Sequence, residues 1–393
     1  MRHCKRLLMA VFALLVVFAE CACVHPLTRY RLIDLGSLSC PNGHCAVGTV
    51  NDVCEVAGFD EDASQVDFGI VWQPTSSGVW MQTKLPAPAL QYGGAGGTWS
   101  PRSGSTATTF RAFGIDNLGY VIGYGKGPRN EAVLWRTRAT PDPLNMGAGP
   151  ALVGAYLGGL PNNGAVSEGW GINNALQAVG NSKNMQPTLA FQWSAAAGMA
   201  ALSTVPSGTP PTYAYSIDDR GDIVGDVTVP LGAGSTTHAF FWDPNTATMQ
   251  DLGVLTGGQN ISHAAAVINP GAFGPVAVGY SSVMGGKHAF VWRPSTGMLD
   301  IGNLSTSGNS GANAVGTSGV FGFGTTTSGM RAVGWPLIDL NNAPKNQPID
   351  LNTLLSSNPT GAVLEEATGV NSIGIVAVKG SVGGSKHSCW CRT

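Results

Sequence analysis

One phrase returns about seven times along this 393-residue chain. A hydroxyl or small residue leads into Ile or Val, then Asn or Asp. A turn follows, then Val-x-Gly, a variable loop, and a short apolar run ending in Trp. The turn phrase stands at Val50-Asn51, Ile115-Asp116, Ile172-Asn173, Ile217-Asp218, Ile268-Asn269 and Val370-Asn371, with a degraded copy at Val315-Gly316. Trp72, Trp135, Trp193, Trp242, Trp292 and Trp335 close the units, and Cys391 takes that place in the last. Self-similarity at a period of roughly 45–65 residues restricts the chain to an array, a solenoid or a propeller.

Each unit offers four short segments rich in Val, Ile, Phe and Trp, bounded by Gly, Asn, Asp and Pro, which is the pattern of strands and turns. Strand A ends at the Ile-Asn landmark, B is the Val-x-Gly phrase, C runs into the Trp, and D reads Asp-Leu-Gly. Asn, Asp and Gly suit the A–B turn because they tolerate left-handed backbone and bond their own main chain. Along strand C, Trp242 and Phe240 share one side, read here as the buried one. The ends are complementary. Tyr30–Leu38 is a D strand with no A, B or C before it, and His387–Cys391 is a C strand with no D after it. Pairing the two would close a ring and remove the open sheet edges. An all-β fold with a single seven-bladed propeller over residues 30–393 is therefore expected. A β-solenoid is the rival, although its repeats are usually shorter and more regular.

The fourth and fifth units carry His238-Ala239-Phe240 and His288-Ala289-Phe290, followed by Asp251-Leu252-Gly253 and Asp300-Ile301-Gly302. These residues resemble the HAF-repeat family of predicted extracellular bacterial proteins, and the resemblance extends over nearly everything after about residue 30. It implies secretion and a β-rich repeat. It supplies no catalytic residues to carry over.

Composition agrees with a loop-rich all-β protein: 11% of residues are charged, with 55 Gly and 24 Pro. Net charge is −2 and no Lys/Arg run follows the leader, so no nucleic-acid partner is expected. Residues 1–23 read as a signal peptide. Arg2, Lys5 and Arg6 precede an apolar run from Leu7 to Ala19, and small residues follow at Cys21, Ala22 and Cys23. The run is too short for a confident membrane span, and no later run is longer. The expected location is outside the cell or in the cell envelope of a bacterium. A lipid anchor at Cys23 is the alternative; Glu20 stands where a lipobox wants an aliphatic residue.

The cysteines beyond the leader cluster at the ends: Cys40, Cys45 and Cys54, then Cys389 and Cys391. An exported chain permits disulfides, and closure would bring these segments together, so a bridge between the ends is expected. Cys389-x-Cys391 has the wrong spacing for zinc. His238, His288 and His387 recur at one repeat position, and different blades would hold them far apart. Neither a metal nor a cofactor is expected. Arg220-Gly221-Asp222 falls where every unit needs its turn. Asp60, Glu61, Asp62 and Asp67 read as a solvated acidic loop, and Gly93–Gly97 as an inter-blade loop.

One set of residues departs from the repeat. Four positions before the landmark, where small residues are the rule, stand Ala46, Arg111, Glu168, Tyr213, Ala264, Gly311 and Glu366. In a propeller this level lies at one rim of the central channel, so Arg111, Glu168, Tyr213 and Glu366 are candidate ligand-binding residues, with local inter-blade pairing as the plainer reading. Two functions follow. The favoured one is an exported binding module for an unknown glycan or protein ligand, because variable loops on a rigid scaffold are where function sits. The alternative is a glycan-active hydrolase or lyase, for which Glu168 and Glu366 would have to lie within about 5–10 Å.

Overall fold

A computed structural model describes residues 29–39, 45–77, 79–94, 98–101, 108–127, 129–139, 141–146, 152–160, 166–183, 187–203, 209–271, 274–336 and 348–392, the side chains of 209 and 388–392 excepted. The strands form seven sheets around one axis. The innermost strands are Ala46–Val50, Thr109–Ile115, Ser167–Ile172, Thr209–Ile217, Ser262–Ile268, Ser310–Gly316 and Val363–Val370, in blades 1 to 7. Blades 1 to 6 each follow the chain order A-B-C-D from the axis outward. Blade 7 takes A, B and C from the C-terminus, and its D strand is Tyr30–Ser37. That strand runs antiparallel to Ser385–Arg392, with Leu32 opposite Cys391 and Asp34 opposite Cys389. The expected seven-bladed propeller and its closure by the two ends are both present.

Two additions were not legible in the repeat. Leu90–Tyr92 and Trp99–Pro101 form a hairpin that widens blade 2, with Gly93 and Gly94 in its connection. Leu355–Ser357 lies parallel to Tyr30–Ser37 on the outside of blade 7.

The core is divided among the blade interfaces. Seven clusters of buried apolar residues lie one between each pair of neighbouring blades. Successive strand residues point to opposite faces, so strand C feeds two clusters. Phe240 and Trp242 pack towards blade 3 with Val179 and Ala190, whereas Ala239 and Phe241 pack towards blade 5 with Ala264 and Trp292. The expectation of one buried face is thus corrected: both faces are buried, because each sheet is sandwiched. The cluster holding Leu35, Leu38, Val47, Trp72 and Ala377 seals blade 7 to blade 1.

The glycine of Val-x-Gly has a steric reason. Every inner strand carries a register irregularity before its landmark. A bulge bends a strand and re-aims its side chains. Here it drives a carbonyl onto the neighbouring strand. A Cβ on Gly123, Gly180, Gly225 or Gly279 would sit 1.9, 1.9, 1.8 or 1.8 Å from the carbonyl oxygen of Arg111, Glu168, Tyr213 or His263. The last of these corrects the reading of blade 5. His263, not Ala264, is the counterpart of Tyr213, because its longer A–B turn shifts the landmark by one residue to Val267.

The His-Ala-Phe and Asp-Leu-Gly phrases hold blades together. His238 Nδ1 donates to Asp251 at 2.9 Å, His288 to Asp300 at 2.7 Å and His387 to Asp34 at 3.0 Å. The same carboxylates accept from Gly253, Gly302 and Gly36, whose positive φ values of 71°, 78° and 108° suit only glycine well. Ser262 Oγ accepts from the Ala239 amide of the preceding blade at 2.8 Å and donates to the Gly253 carbonyl at 2.5 Å. Ser310 repeats this with Ala289 and Gly302, at 2.9 and 2.8 Å. Each of these histidines is engaged by a carboxylate of its own blade, and no group of His, Cys, Asp and Glu among the described residues is arranged to hold a metal. Ser310 is fully buried. Ser310→Ala strands a buried donor and acceptor together, and is expected to cost about 1–3 kcal/mol. A lower urea midpoint at unchanged m-value is the check.

The expected bridge between the two ends falls largely on residues outside those described, although Cys45 is itself disulfide-bonded. Cys40 lies outside the described residues, as do the side chains of Cys389 and Cys391. Cys45 belongs to the core between blades 7 and 1, and Cys54 sits in the A–B turn of blade 1. The described tie between the ends is a backbone ladder. The expected signal peptide, with Cys23, also lies outside the described residues. No described helix is long and apolar enough to cross a membrane.

Candidate functional site

The channel along the axis is built in levels, one per position of the inner strands. At the end where the A–B turns lie, residues from all seven blades line a cavity of about 210 Å³. Its rim is a relay of turn residues. Ser372 N donates to Asp52 at 2.8 Å, Asp52 N to Asn117 at 2.8 Å, Asn117 N to Asn174 at 2.8 Å, and Asn174 N to Asp219 at 2.9 Å. The relay passes from blade 7 through blades 1, 2 and 3 to blade 4. The longer A–B turn of blade 5 carries Pro270, which has neither an N–H nor a side-chain acceptor. Burial raises the Asp52 carboxyl, but the donors Ser372 and Asn117 outweigh it and hold the group below its usual value.

The residue before each relay member folds its own turn. Asn51 Oδ1 accepts from Glu55 N, Asp116 Oδ1 from Tyr120 N, and Asn173 Oδ1 from Gln177 N, at 2.7, 2.7 and 2.9 Å. In Asn51, Asn173 and Asn371 the amide also reaches the next blade. Asn51 Nδ2 donates to the Asp116 carbonyl at 2.8 Å, Asn173 to that of Asp218 at 2.7 Å, and Asn371 to that of Asn51 at 3.0 Å. In Asp116 and Asp218 the second oxygen is buried without a partner. Desolvation pushes both carboxyls up to about 6. Here Arg220-Gly221-Asp222 is consumed by the fold: Asp222 is buried and accepts from Asn269.

The level next to the landmark is where the blades stop being alike. The bulge presents Phe113, Trp170 and Tyr215 in blades 2, 3 and 4, but Ala265, Asn313 and Thr368 in blades 5, 6 and 7. All six are half-buried, each following a buried residue. The aromatics form a connected arc. Ring centroids lie 5.6 Å apart for Phe59 and Phe113, 4.5 Å for Phe113 and Trp170, 5.9 Å for Trp170 and Tyr215, and 4.9 Å for Tyr215 and His263. Tyr280 continues it at 5.0 Å from His263. The connected rings thus span blades 1 to 5, while blades 6 and 7 hold the small polar Asn313 and Thr368 at the bulge.

The residues singled out from the sequence lie beside this arc. Arg111 donates to Asp67 of blade 1 at 2.6 Å and covers the Phe59 ring at 4.8 Å. Burial pulls its guanidinium down, but Asp67 and Tyr124 outweigh that and hold it above its ordinary value. Glu168 accepts from Asn130 at 2.6 Å and Asn181 at 3.2 Å. Tyr213 stacks on Tyr215 with 5° between planes. Glu366 accepts from Asn313 at 3.0 Å. Arg111 and Glu168 both act electrostatically on Tyr124, whose hydroxyl burial pushes up. Glu366 stands in blade 7, three blades from Glu168. Of the acidic segment, Asp60 and Glu61 are buried rather than solvated, Asp60 accepting the Ser39 amide.

Sequence reasoning missed Phe113, Trp170, Tyr215 and His263. A signal existed: the first three stand two residues before their Ile landmark, where other units have small or polar residues.

No family model matches this chain, and no curated protein matches it. Solved structures are similar at low identity. A triple arginine-to-alanine variant of AofleA from Arthrobotrys oligospora is 15% identical with a TM-score of 0.41, over 79% of this chain and 87% of that one. TolB from Acinetobacter baumannii is 7% identical with a TM-score of 0.36, over 88% and 80%. Trypanosoma rangeli sialidase is 9% identical with a TM-score of 0.38, over 88% and 53%. These likenesses concern the fold alone.

Proposed function

We propose that this propeller is an exported binding module of the bacterial cell surface or its surroundings, and that its ligand seats on the aromatic side of the channel mouth. The observation that carries this reading is the asymmetry of a repeated position. A ring of seven like units needs seven like residues, yet three consecutive blades place half-buried aromatics there. Large aromatics on a scaffold held by buried clamps give contact area at little cost in ordering. The basic leader with its apolar run supports export. The hydrolytic alternative is weaker, because Glu168 and Glu366 engage amides of neighbouring strands through Asn130, Asn181 and Asn313.

The test uses washed bacterial cell envelopes as the probe. Wild-type protein lacking residues 1–23 is expected to be retained on them, and the double variant Phe113→Ala/Tyr215→Ala to lose at least tenfold in retention while keeping its β-sheet circular dichroism. Equal retention of the two proteins would remove the arc from the binding surface. Fractionation of the native cells should find the protein outside the cytoplasm.

A further inference from the structure

We infer that the aromatic arc is a saccharide site, selective for a soluble, neutral oligosaccharide over an acidic one or a crystalline polysaccharide surface. The inference rests on the binding-module reading and adds the ligand class to it. Three features of the site lead there.

The first is the pairing of apolar faces with oriented polar atoms. A pyranose has an apolar C–H face and an equatorial fringe of hydroxyls. Trp170 offers the broadest half-buried ring, and Glu168 and Asn181 stand at its edge. Trp170 Nε1 donates to Asn181 Oδ1 at 2.6 Å, and Asn181 Nδ2 in turn donates to Glu168 at 3.2 Å. The ring and its polar neighbours are thus held in one preset arrangement. A carboxylate accepts up to four hydrogen bonds, so Glu168 keeps acceptor capacity for ligand hydroxyls beyond its two amide donors. An acyl chain laid on the same rings would bury these polar groups without replacing their water, which is costly.

The second is the sign of the charge. Arg111 is committed to Asp67 at 2.6 Å. The donors that hold Glu168 are the neutral amides of Asn130 and Asn181. The middle of the arc therefore presents an uncompensated carboxylate, which repels uronates and other anionic sugars.

The third is shape. Phe113 and Trp170 are inclined at 42°, and Trp170 and Tyr215 at 71°. A flat crystalline polysaccharide needs coplanar rings, whereas a concave arc clasps a single chain or chain end.

The test is calorimetric titration of the protein lacking residues 1–23 with chitohexaose, cellohexaose and mannohexaose, against hexagalacturonate and microcrystalline cellulose. At least one neutral hexaose is expected to bind, and at least tenfold more tightly than hexagalacturonate. Trp170→Ala should weaken that binding at least tenfold. Glu168→Gln, which keeps the shape, should narrow the discrimination against hexagalacturonate at least threefold at an unchanged melting temperature, so the inference stays testable if Trp170→Ala fails to fold. Tightest binding to hexagalacturonate or to cellulose would overturn it. So would arc-dependent retention on cell envelopes that survives periodate oxidation of their glycans, an outcome that leaves the binding module standing with another ligand. Loss of retention after periodate supports the saccharide. Retention indifferent to the arc substitutions would overturn both readings together.

Discussion

A chain lacking residues 30–38 is expected to melt about 8 °C below the protein that keeps them. The segment supplies the fourth strand of blade 7 and the pairing that joins the two ends. It buries Tyr30, Leu35 and Leu38 to 0, 8 and 4% exposure. Burying a large apolar side chain contributes about 1.5–3 kcal/mol, so three give roughly 6 kcal/mol before the ladder is counted. At about 2.1 cal/mol/K per residue of unfolding entropy, a chain of this length loses about 0.8 kcal/mol per degree, which sets the shift. The truncated chain also exposes the free side of Ser385–Arg392, so concentration-dependent association should accompany the loss. Calorimetry with light scattering reads both. An unchanged melting curve would mean that closure contributes nothing.

Asp116→Asn and Asp218→Asn are expected to stabilise the protein at pH 8 and to leave it unchanged near pH 4. Asn51, Asn173 and Asn371 already show what the amide does at this position: its second group reaches the next blade's carbonyl. An ionised Asp presents an oxygen to that place instead, and the oxygen has no partner. Arg138 eases the charge at Asp116; Asp222 and Asp219 aggravate it at Asp218. Both carboxyls titrate at about 6 in the folded chain, against an ordinary 3.8. The folded state therefore binds the extra protons between these values. Its stability is fully present below pH 3.8 and falls as pH rises through 6. A shift of this size corresponds to about 3 kcal/mol per site, and on the order of 2 kcal/mol is a fair expectation after relaxation. The double variant should melt about 5 °C higher at pH 8. Melting curves at pH 4 and pH 8 decide it: a gain of equal size at both would refute the titration argument.

The blade count and the closure were legible because both depend on local patterns. Asn-Asp turns, Val-x-Gly and a terminal Trp mark each unit, and an unpaired D at one end matches an unpaired C at the other. The clamp of His on Asp was visible as a recurrence, although its partner lay in the Asp-Leu-Gly phrase of the adjacent strand. The aromatic arc was overlooked for a physical reason. A bulge adds a residue to each inner strand, and that residue is the one turned into the channel. The charged residues four positions before the landmark, Arg111 and Glu168, stood out from the repeat instead, and the aromatics two residues further on were passed over. In blade 5 the longer turn after Ile268 moved the landmark by one, which hid His263 behind Ala264. The cysteine clustering was read as a covalent tie; the described part of the junction is backbone pairing and the apolar seam of Leu35, Leu38 and Val47, in which Cys45 is disulfide-bonded.

The relay at the turn rim has a mechanical meaning. It is a hoop with a gap at Pro270, so the ring behaves like an open collar: stiff from blade 7 round to blade 4, and compliant where the proline interrupts it. Phe113, Trp170 and Tyr215 all stand on the stiff side. A ligand settling there meets a surface already in its final shape, and whatever breathing the ring needs is displaced to the far side of the axis, away from the rings it would otherwise disturb.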